Sequence, residues 1–274
     1  MSETITRLDL GDRTIILVGT AHVSRESVEE VESIIREEMP DRVCVEIDAQ
    51  RYKAITEPNS WSSMNIYKII RERKAFLLLG NLVLQAFQRR MGLDLGVKPG
   101  EEMRAAIRVS DELEIPFSFA DREIQTTLRR AWAKSSLWGK NKLLAALLSS
   151  VFSNEKLSEE EIEELKHKSE LETMLEELAD YLPAAKRVLI DERDQYLATK
   201  IFESEGKRVV AVVGAGHVPG IIKWLEGVQQ GERERDLSDI DIVPPPGLLA
   251  RSAKWVIPAI VLGLIGYGFV SSGW

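Results

Sequence analysis

The chain has 274 residues, 44% apolar and 29% charged, with a net charge of −8 at pH 7. These values exclude a globally disordered chain and argue against a general nucleic-acid surface, which needs local positive potential to hold phosphates. A single cysteine, Cys44, excludes an intramolecular disulfide framework and a cysteine-built zinc site, and suits a reducing compartment.

The N-terminal stretch "TITRLDLGDRTIILVG" reads as two strands joined at Gly11-Asp12, a β-hairpin whose second strand carries the apolar run Ile15 to Val18. Gly19 and Thr20 turn the chain, His22 follows, and the spacing of Val28, Val31, Ile34 and Ile35 predicts an amphipathic helix over 24–38. "RVCVEID" is a second core strand ending in Glu46 and Asp48. Apolar residues recur at helical spacing across 60–90, interrupted by too many charges for a membrane span. A helix then enters at Pro99-Gly100, "IPFSFAD" forms a short strand closed by Asp121, and helices are predicted over 123–134 and 137–152. Ser158 and Glu161 make a capping box at the head of an acidic helix, whose glutamates and His167 read as a solvated face. A further helix spans about 183–203, and "KRVVAVVGAGHVPGI" is a strand running into another helix. "SDIDIVPPPG" reads as a last short strand and a stiff linker.

The C-terminal stretch "WVIPAIVLGLIGYGFV" carries no charge, and counted to Trp274 it approaches the length needed to cross a hydrocarbon core. Gly263, Gly266 and Gly268 suit helix packing in lipid and would allow a homo-oligomer. Arg251 and Lys254 precede it, and the first residues lack a signal-peptide pattern, so the preceding domain is expected to face the cytoplasm from a membrane anchor. The expected fold is therefore α/β: a central mixed sheet with an N-terminal hairpin, flanking and inserted helices, and a C-terminal transmembrane segment. Its domains would be 1–243 with a helical insertion over about 60–200, a Pro-rich linker over 244–250, and a membrane segment over 251–274 that contacts lipid.

Two turns repeat one pattern. "TIILVGTAHVSRE" and "VVAVVGAGHVPGI" each give strand, glycine, two small residues, histidine, valine and a helix start, and they use two of the chain's three histidines, His22 and His217. One such turn is weak evidence; two equivalent ones argue for a joint role as metal ligands or proton carriers. Carboxyl ends of strands in an open α/β sheet form the usual ligand crevice, and Glu46, Asp48, Asp121 and Arg122 reach that same edge. Asp48 and Asp121 are accounted for by helix capping or ion pairing; Glu46 is less easily dismissed. Two imidazoles with one or two carboxylates suit Mn²⁺, Co²⁺, Zn²⁺ or Fe²⁺ with a position left for water, which is a hydrolytic arrangement. No H-E-x-x-H is present, so a helix-borne protease site is absent.

The stretches "GTAHVS", "VCVEIDAQR", "GVKPGEEMRAAI", "ADREIQTTLRRAW", "IDERDQYLA" and "VVGAGHVPGI" resemble the TraB/PrgY family, related to the Tiki proteins. That resemblance implies a hydrolase site depending on Mn²⁺ or Co²⁺, metallopeptidase-like, with His22, Glu46, Arg51, Glu102, Arg122 and His217 as site residues. His22 and His217 would hold the metal with Glu46 or Glu102, and the remaining glutamate would activate water. Glu102 also simply complements the dipole of the helix it opens. Arg51, Arg122 and Arg129 are candidates for a substrate carboxylate or an oxyanion, whereas Glu192 and Arg193 in "DERD" match another motif of the family but read first as a buried structural ion pair. PrgY-like proteins are associated with limiting peptide pheromones, which implies a peptide or protein substrate. The alternative is a non-catalytic, membrane-associated peptide-binding or pheromone-limiting regulatory protein, with an anion pocket at the two helix N-termini.

Overall fold

The computed structural model describes residues 4–20, 25–56, 100–136, 138–139 and 183–245. His22, the helix expected over 60–90, most of the helices expected over 137–182, and the apolar segment 251–274 lie outside the described residues. Chain contacts divide the protein into two units, Met1–Ile242 and Val243–Trp274, and all but three of the described residues belong to the first.

β1 (Ile5–Leu10) and β2 (Arg13–Thr20) form the hairpin, turning at Gly11 with a φ of 69° that favours glycine. α1 (Arg25–Glu38) leads to β3 (Arg42–Val45) and α2 (Ala49–Thr56). After the undescribed stretch come α3 (Glu101–Glu112), β4 (Phe117–Phe119) and α4 (Ile124–Lys134). The second half contains α5 (Pro183–Lys186), a π-helical turn (Arg187–Asp191) and α6 (Glu192–Glu203). β5 (Arg208–Gly214), a 3-10 turn (Ala215–His217), α7 (Val218–Gln229) and α8 (Ser238–Asp241) complete it.

The sheet order is β1-β2-β5-β3-β4, with β1 antiparallel to β2 and the other neighbours parallel. The mixed sheet and its hairpin match the sequence reading. Side chains alternate across the central strands and bury both faces. Ile16, Val18, Val210 and Val212 pack with Val31, Ile35 and Ile107 from α1 and α3. Ile15, Leu17, Val209, Ala211 and Val213 pack with Leu197, Ile201, Ile221 and Leu225 from α6 and α7. Burying such strands on both faces supplies the main stabilisation, at about 1.5–3 kcal/mol per large aliphatic side chain.

Two expectations are corrected. The expected fold ended in a transmembrane segment, but among the described residues no helix is long and apolar enough to cross a membrane. The longest helical run among the described residues, 183–203, carries Lys186, Arg187, Asp191, Glu192, Arg193 and Asp194, charges that a bilayer core would not accept. The fold class that stands is the mixed α/β architecture. "SDID" is also no strand: its period-two pattern forms α8, because Asp236 accepts hydrogen bonds from the Ser238 amide and hydroxyl at 2.8 and 2.7 Å. The Asp241 amide then donates to the Leu237 carbonyl at 2.9 Å, closing a helical turn.

Candidate functional site

Strand order assembles the site. β3 and β5 pair so that Val45 faces Val212, and the chain leaves them at Glu46 and Gly214 respectively. β2 lies on the other side of β5, with Thr20 opposite Gly214, so the two histidine-bearing turns start from adjacent strand ends. The strand-to-turn passage is tight: a methyl group on Gly19 would stand 3.0 Å from the Val218 side chain.

Glu46 is buried at the end of β3. Its Oε2 accepts the Gly214 amide at 2.7 Å and its Oε1 accepts Arg193 Nη2 at 2.5 Å. Asp121, at the end of β4, accepts Arg193 Nε on Oδ1 at 3.0 Å and Nη2 on Oδ2 at 2.7 Å, a bidentate contact. Arg193 Nη1 lies 3.0 Å from His217 Nε2. His217 Nδ1 is 2.5 Å from Asp194 Oδ1, and His217 Nε2 is 3.6 Å from Glu46 Oε1.

These contacts decide the histidine's protonation pattern. A guanidinium can only donate, so Nε2 accepts from Arg193. A neutral imidazole then carries its proton on Nδ1, which donates to Asp194. Burial raises the Asp194 pKa, and the hydrogen bond from His217 opposes that shift. Burial also works against the charge of Arg193, but the charges of Asp121 and Glu46 outweigh it and push its pKa above the ordinary value. Asp194 reaches His217 because Gly220 gives it room: a side chain on Gly220 would collide with the carboxylate.

The other expected residues divide. Arg51 stands at the rim, 41% exposed and 3.6 Å from Asp121. Glu102 is 1% exposed in the first turn of α3, just after Gly100, whose φ is 84°. Asp48 caps α2, accepting the amides of Gln50 and Arg51 at 2.9 and 3.0 Å. Arg129 pairs with Gln125 within α4 at 3.4 Å.

Arg122 is placed elsewhere. Its guanidinium is buried among Glu192, Thr127 and the carbonyls of Val188 and Ile240, at 2.6–3.2 Å. Only its backbone amide touches the site, donating to Asp121 Oδ1 at 2.8 Å. Arg130 and Lys134 join the same Glu192 carboxylate. Burial opposes the Glu192 charge, but hydrogen bonds from Arg130, Lys134 and Arg122 prevail and hold its pKa down at about 2.

Glu192 and Arg193 are thus not paired with each other. Three consecutive residues of one helix point to three places, since each step turns about 100°. Asp194 is the site residue that the sequence reading passed over, and Arg193 is one that it set aside as part of a structural ion pair. A signal was present: Asp194 lies on the apolar stripe of Leu197, Ala198 and Ile201, where an acid needs a partner.

The donors can be tested against a divalent metal. His217 Nε2 and Glu46 Oε1 are close enough to be neighbouring donors to one cation. Asp194 holds Nδ1 as an outer-shell carboxylate holds a metal-ligating histidine. Among the described residues no three His, Cys, Asp or Glu side chains are arranged to hold a metal ion. The donor pair therefore fits two coordination positions, and His22, the further expected donor, lies outside the described residues.

The sequence pattern of the TraB/PrgY/gumN family matches residues 4–233, most of the chain. The chain belongs to the TraB/PrgY/gumN family. Its TraB relatives include a bovine TraB domain-containing protein, 31% identical over all of this chain and 77% of that protein, and a human one at 29% identity over the same shares. An uncharacterized protein of Methanocaldococcus jannaschii is 34% identical over 84% of this chain. The match spans 56% of that archaeal protein's length.

Proposed function

We propose that this TraB-family chain is a divalent-metal-dependent hydrolase acting on peptide or protein substrates. The observation that carries the reading is the Asp194–His217 pair, which presents Nε2 beside Glu46 Oε1 at the carboxyl ends of the parallel strands. His217 and Glu46, with His22 as the resemblance implies, would hold the ion, with Mn²⁺ or Co²⁺ the first candidates. When bound, a cation there polarises a carbonyl and acidifies water.

The chain's own residues supply the rest. Asp194 fixes the imidazole tautomer and its orientation. Gly214 and Arg193 hold Glu46 in place. Arg51, half-exposed at the rim, is positioned to meet an anionic group of an arriving substrate. Glu102 is the candidate for moving a proton, on the strength of the resemblance and of its burial at the start of α3.

One observation favours a second reading, capture of a peptide without turnover. Arg193 hydrogen-bonds both His217 Nε2 and Glu46 Oε1, the two atoms that would face the ion. Metal content separates the two. Elemental analysis of the purified chain should find near-stoichiometric Mn or Co that disappears in the His22→Ala/His217→Ala double variant, together with chelator-sensitive cleavage of a peptide library. No metal in either protein after reloading with Mn²⁺ overturns the hydrolase reading and leaves peptide capture.

A further inference from the structure

Arg193 lies between the two proposed metal donors. One edge of its guanidinium, Nε and Nη2, is fastened to Asp121 at 3.0 and 2.7 Å. The remaining contacts reach inward, Nη1 to His217 Nε2 at 3.0 Å and Nη2 to Glu46 Oε1 at 2.5 Å. An imidazole nitrogen has one lone pair, so Nε2 accepts a hydrogen from Arg193 or binds a cation, never both. Charge explains why the arginine is there. Glu46, Asp121 and Asp194 are buried together, and carboxylates taken out of water need a counter-charge.

We propose that Arg193 is a resident counter-cation that competes with the divalent ion for His217 Nε2 and Glu46 Oε1. It is a positioning residue: it keeps the acids compensated while no ion is bound, and it yields the two donors when one binds. Asp121 holds the guanidinium independently through Nε and Nη2, so an arginine that gives up His217 and Glu46 keeps a carboxylate partner. The arrangement lowers metal affinity, because an entering dication must break two hydrogen bonds and then sit near a positive charge. This inference rests on the metal-site reading above.

The test uses Mn²⁺ alone on the full chain, with free Mn²⁺ followed by electron paramagnetic resonance. Arg193→Gln removes the competing charge and should bind Mn²⁺ at least about tenfold more tightly than the unmodified protein. Arg193→Lys keeps the charge but loses the fork, and should tighten binding about threefold. It decides the matter if Arg193→Gln fails to fold by circular dichroism. Equal or weaker Mn²⁺ binding in the folded variants, with binding by the unmodified protein abolished in His217→Ala, overturns the competition and leaves the metal site standing. Absence of Mn²⁺ binding in every protein removes the metal reading and this inference together.

Discussion

Glu192 and Arg193 are neighbours on α6, yet each is the centre of a buried charge cluster of opposite character. Around Glu192 one carboxylate meets three cations, Arg122, Arg130 and Lys134, and the spare guanidinium donors end on backbone carbonyls of Val188, Ile240 and Ile242. Around Arg193 the balance reverses: three carboxylates, Glu46, Asp121 and Asp194, surround one buried guanidinium and one imidazole. The cation-rich cluster is saturated by the protein itself and ties α4, the π turn and α8 together. The acid-rich one stands where four parallel strands end, and its excess negative charge suits a further cation. Similar burial therefore encloses two unlike clusters, one with cations in excess and one with carboxylates in excess, and the metal proposal rests on the second.

Removing the single acid of the first cluster should have the largest effect. Glu192→Gln leaves three cations facing one another and is expected to cost about 3–5 kcal/mol in urea unfolding. The same cluster predicts an acid transition. The folded pKa of Glu192 is about 2 against an ordinary 4.5, so its stabilisation is complete above 4.5 and is lost as pH falls toward 2. The amount at stake is about 3 kcal/mol. Stability measured from pH 6 down to pH 2 should fall less steeply in Glu192→Gln than in the unmodified protein. Equal slopes would show that Glu192 is not held ionised by its partners and would dissolve the contrast between the clusters.

A smaller perturbation addresses the second cluster. Gly220 lies in α7, where alanine in place of glycine ordinarily stabilises a helix by about 1 kcal/mol. Here the added methyl meets the Asp194 carboxylate. Gly220→Ala should instead destabilise by about 1–3 kcal/mol and detach Asp194 from His217. Nitrogen-15 NMR of the imidazole should show the Nδ1–H tautomer in the unmodified protein and a mixture in the variant. A stabilised variant with an unchanged tautomer would mean that the site does not depend on the close approach of α6 to α7.

The legibility of these features differs for physical reasons. The hairpin, β3, β5 and both helix-facing surfaces follow from short β-branched runs and helical spacing, which are local signals. Glu46 and His217 are nameable from sequence because each follows closely on a strand, but their meeting depends on β5 lying beside β3, a long-range order with no local trace. Arg122 read as a site residue because it follows Asp121 in the chain; the turn after β4 sends its side chain to Glu192 instead. Arg193 was hidden by adjacency, since "DERD" suggests a local ion pair until helical rotation separates the three side chains. "SDID" misled through alternation, which one turn of helix capped by Asp236 can also produce.

The smallest effect concerns Arg51, the exposed cation of the acid-rich cluster. It stands 3.6 Å from Asp121 and is 41% exposed, so water and salt screen the pair. Arg51→Ala should change unfolding free energy by less than about 1 kcal/mol, the usual worth of an exposed ion pair. Asp121 loses little, because Arg193 still holds both of its oxygens. Arg51 can therefore serve an incoming ligand without being needed by the fold. Titration with an acidic peptide should show weaker binding in Arg51→Ala and a smaller dependence on salt, at unchanged melting temperature. A large loss of stability would instead place Arg51 with Arg122, as a brace of the folded chain, and would move the boundary between the two clusters to the site's outer rim.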